Sequence, residues 1–216
     1  MLVDPARPLI YLITSGVTTS TTTPESQEFS SILNLVEAAT AAEVSLVQLR
    51  EKALSARVLY ELALRSVAVT SGTSTRLLVN DRFDIALAAG ADGVQLTSIS
   101  MPADAVRRTC GSQFLIGVSA HSFKEAETAR ERQADFVLFG PVFETESKRS
   151  FGAPQGLTKL REITHELNEF PVIAIGGISV DSAAECVEAG AIGVAGITML
   201  SDPATMSSVI DSIRST

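Results

Sequence analysis

Apolar positions along this chain fall into two alternating kinds of run. The short runs are Pro8–Ile13, Ser45–Leu49, Arg76–Val79, Gly93–Leu96, Phe114–Val118, Phe136–Phe139, Val172–Ile175 and Gly193–Ile197. Runs such as VIAI and FVLFG are apolar at successive positions, so both faces of the extended chain are expected to be covered, as in a parallel sheet. Between and after them lie longer amphipathic stretches with helical spacing. These are Gln27–Ala42, Ala56–Thr70, Ala103–Thr109, Lys124–Gln133, Gly156–Leu167, Ser179–Glu188 and Pro203–Ser212, with a shorter one at Arg82–Ala89. Eight strand–helix units in a chain of 216 residues predict an α/β fold, a single (β/α)8 TIM barrel over residues 1–216. An open doubly wound sheet is the alternative, weakened because no GxGxxG follows the first strand.

One internal echo fits a barrel. Ala89-Gly90-Ala91-Asp92-Gly93-Val94 returns as Ala189-Gly190-Ala191-Ile192-Gly193-Val194, four strand–helix units later. Half-barrel duplication and the ordinary demands of a tight helix-to-strand turn both explain it. These turns lie at the N-terminal ends of strands, so Asp92 is expected to be structural. Two connections stand out at the opposite end. Thr18–Ser26 is rich in Ser and Thr and reads as a mobile loop, with Ser26 a candidate cap and Glu28 in the first helical turn. Gly140–Gln155 is the other long loop, where binding and closure are usually found; its Glu144 and Glu146 read as solvated loop charges.

Composition narrows the field. Lys and Arg number 17 against 25 Asp and Glu, a formal net charge of −8. That balance argues against a nucleic-acid or anionic-membrane binder held by a general basic field. It does not exclude an anionic small molecule, which feels a local cluster. Cys110 and Cys186 form no CxxC and are too few for a disulfide scaffold, which suits a reducing compartment and inert packing roles. No leader is evident and no apolar run approaches the roughly 20 residues that span a bilayer. The expectation is a cytoplasmic, soluble protein, and its oligomeric state is open.

In a barrel, functional side chains belong at or just past the C-terminal ends of strands. Strand two ends in Gln48-Leu49-Arg50-Glu51-Lys52, with its even-numbered residues on one side. Strand three ends in Asn80-Asp81, strand five in Ser119-Ala120-His121, and strand six runs on to Thr145 and Lys148. Arg50, Lys52 and Lys148 are either a grip for a polyanion or a solvated rim. Asp81 beside Asn80 is either a Mg²⁺ ligand or the N-cap of the helix that follows. His121 is either a proton carrier or part of a helix start, while His165 belongs on the outer surface. Gly176-Gly177 and Gly196-Ile197-Thr198 follow strands seven and eight, where barrels commonly bind phosphate through bare backbone N–H groups.

From Tyr11 to Thr198 the chain resembles the thiamine phosphate synthases and the related TenI-type thiazole tautomerases. The resemblance is carried by QLREK at Gln48, VNDRFDIAL at Val79, ADGVQL at Ala91, GVSAHS at Gly117, ADFVLFGPVFETESK at Ala134, PVIAIGGI at Pro171 and GAIGVAGI at Gly190. It implies coupling of hydroxymethylpyrimidine pyrophosphate to a thiazole phosphate with Mg²⁺. By position, Gln48 would meet the pyrimidine. Arg50, Lys52, Asn80, Ser119 and Lys148 would hold pyrophosphate, and Asp81 would bind the metal. Thr145, Gly177, Ile197 and Thr198 would hold the thiazole phosphate. One departure matters: Ser100 stands where the family pattern has a second Mg²⁺-binding Asp. A tautomerase would need no metal and would use His121 as acid and base; a catalytically lapsed metabolite binder is the third reading.

Overall fold

The computed structural model describes residues 7–145 and 154–215. Its strands are β1 (Leu9–Ile13), β2 (Leu46–Leu49), β3 (Arg76–Asn80), β4 (Gly93–Leu96), β5 (Leu115–Ala120), β6 (Phe136–Phe139), β7 (Val172–Ile175) and β8 (Gly193–Gly196). Each is followed by a helix: α1 (Gln27–Ala41), α2 (Ala56–Thr70), α3 (Phe83–Ala89), α4 (Ala103–Cys110), α5 (Phe123–Glu131), α6 (Gly156–Glu166), α7 (Val180–Glu188) and α8 (Met206–Arg214). All eight strands pair in parallel, in chain order, and β8 closes on β1 with Leu9 opposite Gly193. The expected TIM barrel is the fold.

Residues apolar on both faces build two cores. Alternate side chains point into the barrel, where Leu9, Tyr11, Ile13, Leu46, Leu78, Phe136, Leu138, Ile173 and Ala195 pack together. Their neighbours, among them Ile10, Leu12, Val47, Leu77 and Val79, face outward against the helices. Tyr11 meets Phe136 edge to face, with ring centroids 6.1 Å apart, a favoured aromatic geometry.

The repeated segment does the same work twice. A Cβ on Gly93 would lie 2.2 Å from the Leu115 carbonyl oxygen, and one on Gly193 would lie 2.0 Å from that of Leu9. Both glycines let adjacent strands approach, at seams four strands apart. Asp92 is structural, as expected: its carboxylate accepts the Leu77 N–H at 2.8 Å and pairs with Arg76. Asp135 repeats the device, holding the Ile116 N–H and Arg107. Ile192 keeps only the backbone bonds, its N–H to Val172 and its carbonyl oxygen from the Leu9 N–H.

Three local expectations need correction. Thr18–Ser26 is not a free loop: Thr18 and Thr22 are buried, and hydrogen bonds tie Thr19 to Thr22 and Thr23 to Ser26. Ser26 occupies the N-cap position of α1, but its hydroxyl accepts the Thr23 N–H instead of capping the helix. The last helix starts at Met206 because Asp202 closes a turn through the Ala204 N–H and the Thr205 hydroxyl. Both thiols are free. Cys186 is buried and its thiol is pushed up to about 12 by that burial and by neighbouring Glu185; partly buried Cys110 is also raised. No described helix is long and apolar enough to cross a membrane.

Candidate functional site

Barrel closure brings a polar arc to the C-terminal mouth, organised around a residue that composition alone would assign to the core. Tyr11 is fully buried, and its hydroxyl lies 3.2 Å from Gln48 Oε1 and 3.2 Å from Gln95 Oε1. Gln48 donates through Nε2 to Asn80 Oδ1 at 3.1 Å, and Gln95 donates through Nε2 to Ser119 Oγ at 3.2 Å. One connected network therefore sets five side chains from β1 to β5. Buried amides must find partners or lose about 1–3 kcal/mol each, so the network fixes how Gln48, Asn80 and Ser119 are presented. Tyr11 and Gln95 escape sequence reading because their partners lie on other strands. The only visible signal is a polar atom inside an apolar strand.

Burial raises the Tyr11 phenol well above its ordinary value of 10.0. The folded chain thus favours the protonated phenol, whose contribution is intact below about pH 10. Above that, the unfolded phenol ionises and the folded one does not, so stability falls by up to ~1.4 kcal/mol per pH unit. Tyr11→Phe should remove this share of the alkaline slope while costing about 1–3 kcal/mol at neutral pH from the orphaned amide oxygens. Denaturant titrations from about pH 9 to 11 read both effects; an unchanged slope would contradict the assignment.

The other residues sit around this arc. Arg50, just past β2, is half-buried, and its N–H donates to Thr14 Oγ1 at 2.8 Å. Lys52 is exposed. Lys148 and Glu146 lie outside the described residues. Glu144 is exposed and Thr145 half-buried, at the start of the same loop. Asp81 follows β3 in a left-handed conformation (φ +62°) with its side chain exposed. It is not the helix cap considered from sequence. Arg82 occupies that position without a side-chain cap bond and turns its guanidinium to Asp84, which holds the Asp84 carboxyl below the usual range.

The β4–α4 turn explains what Ser100 does. Its hydroxyl accepts the Thr97 N–H at 2.8 Å and lies 2.9 Å from Thr97 Oγ1. The hydroxyl is thus committed to its own turn, and Ser100 also lines a cavity of about 390 Å³ between this turn and α5. Among the described residues no group of three or more His, Cys, Asp or Glu side chains gathers for a metal.

At β5, His121 is exposed and its Nδ1 meets the Gly140 carbonyl oxygen. A carbonyl only accepts, so Nδ1 carries the proton and a neutral ring leaves Nε2 as the acceptor. His165 is exposed on α6, as expected. After β7, Gly176 (φ +102°) and Gly177 (φ +66°) turn tightly against the chain leaving β6. A Cβ on Gly177 would lie 2.4 Å from the Glu144 carbonyl oxygen, so only glycine fits there. Ile197 and Thr198 begin a short 3₁₀ turn after β8, with Thr198 exposed.

Comparison with known proteins places this barrel. The family model described as thiamine monophosphate synthase matches residues 17–200. The thiamine-phosphate synthase of Clostridium novyi is 42% identical over 171 residues, covering 79% of this chain and 82% of its own. That of Roseiflexus castenholzii is 41% identical over 168 residues, covering 78% and 73%. Among solved structures, thiamine phosphate pyrophosphorylase from Pyrococcus furiosus superposes with a TM-score of 0.75 at 28% identity, over 96% of this chain and 98% of that one. Matches of this extent, on a closed (β/α)8 barrel, identify the chain as a member of the thiamine monophosphate synthase family.

Proposed function

We propose that this chain is a cytoplasmic thiamine-phosphate synthase. It joins a hydroxymethylpyrimidine diphosphate to a thiazole phosphate and releases pyrophosphate. The observation that carries this reading is the network from Tyr11 through Gln48 and Gln95 to Asn80 and Ser119. It holds the half-buried Asn80 amide and Ser119 hydroxyl at the strand ends, with buried Gln48 bonded to Asn80 and half-buried Arg50 two residues further on, a set that suits a polar heterocycle bearing a diphosphate. Gln48 orients the pyrimidine. Arg50, Lys52, Asn80, Ser119 and Lys148 hold the diphosphate and stabilise the charge that grows as its C–O bond breaks. The thiazole phosphate rests near Thr145, Gly177, Ile197 and Thr198, so its ring nitrogen is aimed at the carbon losing pyrophosphate and forms the new C–N bond.

The donor set would fit a Mg²⁺ ion through the Asp81 carboxylate, with the remaining ligands coming from elsewhere than the Ser100 hydroxyl. Asp81 supplies one exposed carboxylate, while the Ser100 hydroxyl is committed to Thr97. Mg²⁺ commonly takes one or two carboxylates and completes its shell with phosphate oxygens and water. When bound, it adds positive charge beside the leaving diphosphate.

His121 favours a second reading. With Nδ1–H held by Gly140, Nε2 would suit proton transfer on a carboxylated thiazole phosphate. Calorimetric titration separates the two. A synthase binds inorganic pyrophosphate only when Mg²⁺ is present. A tautomerase ignores pyrophosphate and binds thiazole phosphate equally well with a chelator.

A further inference from the structure

We propose that Glu51 is a positioning residue for Arg50, acting through Thr14 to fix the backbone and flank of the arginine assigned to the diphosphate. The inference rests on the synthase reading of Arg50. Glu51 lies between two cations of the cage, yet it takes no part in an ion pair among the described residues. Strand alternation turns it away from the mouth and under the segment that leaves β1, where it is 2% exposed. Its two oxygens accept four hydrogen bonds there. Thr14 Oγ1 donates at 2.6 Å and the Gly16 N–H at 3.1 Å to one oxygen; the Thr18 hydroxyl at 2.8 Å and its N–H at 3.2 Å reach the other.

The Thr14 hydroxyl makes this more than a loop staple. It has one proton, given to Glu51, and so turns a lone pair to the Arg50 N–H at 2.8 Å. Donors therefore point one way, from Arg50 to Thr14 to Glu51. The same carboxylate holds Gly16, whose backbone lies along Arg50. A Cβ there would sit 3.4 Å from the Arg50 carbonyl oxygen and 3.8 Å from its guanidinium. Both the main chain of Arg50 and the wall beside its side chain depend on one buried carboxylate. A carboxylate survives burial only when its oxygens are satisfied, and here those bonds bear on the arginine.

The test compares wild type with Glu51→Ala, Thr14→Val, the double variant and Glu51→Gln. Readouts are the Kd for inorganic pyrophosphate with Mg²⁺, KM for each substrate, and hydrogen exchange at the Arg50 amide. Glu51→Ala and Thr14→Val should each weaken pyrophosphate binding and raise KM for the pyrimidine diphosphate by about tenfold, since small misplacements of a binding group are costly. KM for the thiazole phosphate should stay within about twofold. The double variant should be no worse than Glu51→Ala, because both changes break one chain. Glu51→Gln keeps an oxygen for Thr14 and should restore most of the affinity, and both it and Thr14→Val decide the matter if alanine prevents folding.

An unchanged Kd, a parallel rise of both KM values, or additive losses would overturn the proposal. Should wild type itself fail to bind pyrophosphate, the synthase reading falls. The Arg50 amide then still decides: lost protection in the variants upholds positioning, and unchanged protection overturns it.

Discussion

Arg50→Ala should lower kcat/KM for thiamine phosphate formation by about 10²–10³-fold, the usual loss when a preorganised donor to developing charge is removed. Arg50 is half-buried just past β2, a place from which a guanidinium can grip the oxygens of a bound diphosphate. Its N–H is fixed by Thr14 before any substrate arrives, so little reorganisation is needed on binding. Arg50→Lys should recover only part of the loss, since an ammonium cannot grip two oxygens in one plane. Steady-state kinetics with both substrates check this, and thermal unfolding should show the variants still folded. Near-normal turnover of Arg50→Ala would remove it from the reaction.

The second large effect concerns closure of the barrel. Gly193→Ala should destabilise the fold by about 3 kcal/mol or more. The added Cβ would meet the Leu9 carbonyl oxygen at 2.0 Å, and the atoms in the way are backbone of β1, which no rotamer change can move. Leu9 and Gly193 are register partners where β8 meets β1, so the strain falls on the seam that makes the sheet a barrel. Gly90→Ala is the natural control. Gly90 has positive φ but open space around its Cβ position, so that change should cost only the left-handed penalty of about 1–2 kcal/mol. Denaturant unfolding of both variants gives the comparison. A Gly193→Ala variant no weaker than Gly90→Ala would show that the seam can spread.

The barrel was legible because its strands are apolar on both faces and its helices on one, a contrast that survives without any long-range information. Boundaries moved by one to three residues for local reasons. β3 runs on to Asn80 and β5 to Ala120, so Asn80 and Ser119 are strand residues held in register, not loop residues past the ends. The mouth was legible in part, since Gln48, Arg50, Asn80 and Ser119 could be read from their places at strand ends. What could not be read was how they are held. Tyr11 reaches Gln95 across 84 positions of sequence, and Glu51 reaches Thr14 across 37; neither distance leaves a periodic trace. Glu51 also looks like one more charge in a polar run until alternation and burial separate it from Arg50 and Lys52. Asp81 looked as much like a cap as a ligand until its backbone conformation placed it outside the helix start.

Mg²⁺ binding is the most demanding part of the proposed reaction, because Ser100 leaves Asp81 as the one carboxylate of the pattern that the resemblance implies. The most direct test incubates purified wild-type protein with the pyrimidine diphosphate, the thiazole phosphate and Mg²⁺ and measures thiamine phosphate, with Ser100→Asp alongside. Wild type should show Mg²⁺-dependent turnover, with Ser100→Asp reaching its maximum at lower Mg²⁺ concentration. No thiamine phosphate from either protein, together with thiazole phosphate binding that ignores a chelator, would contradict the synthase reading.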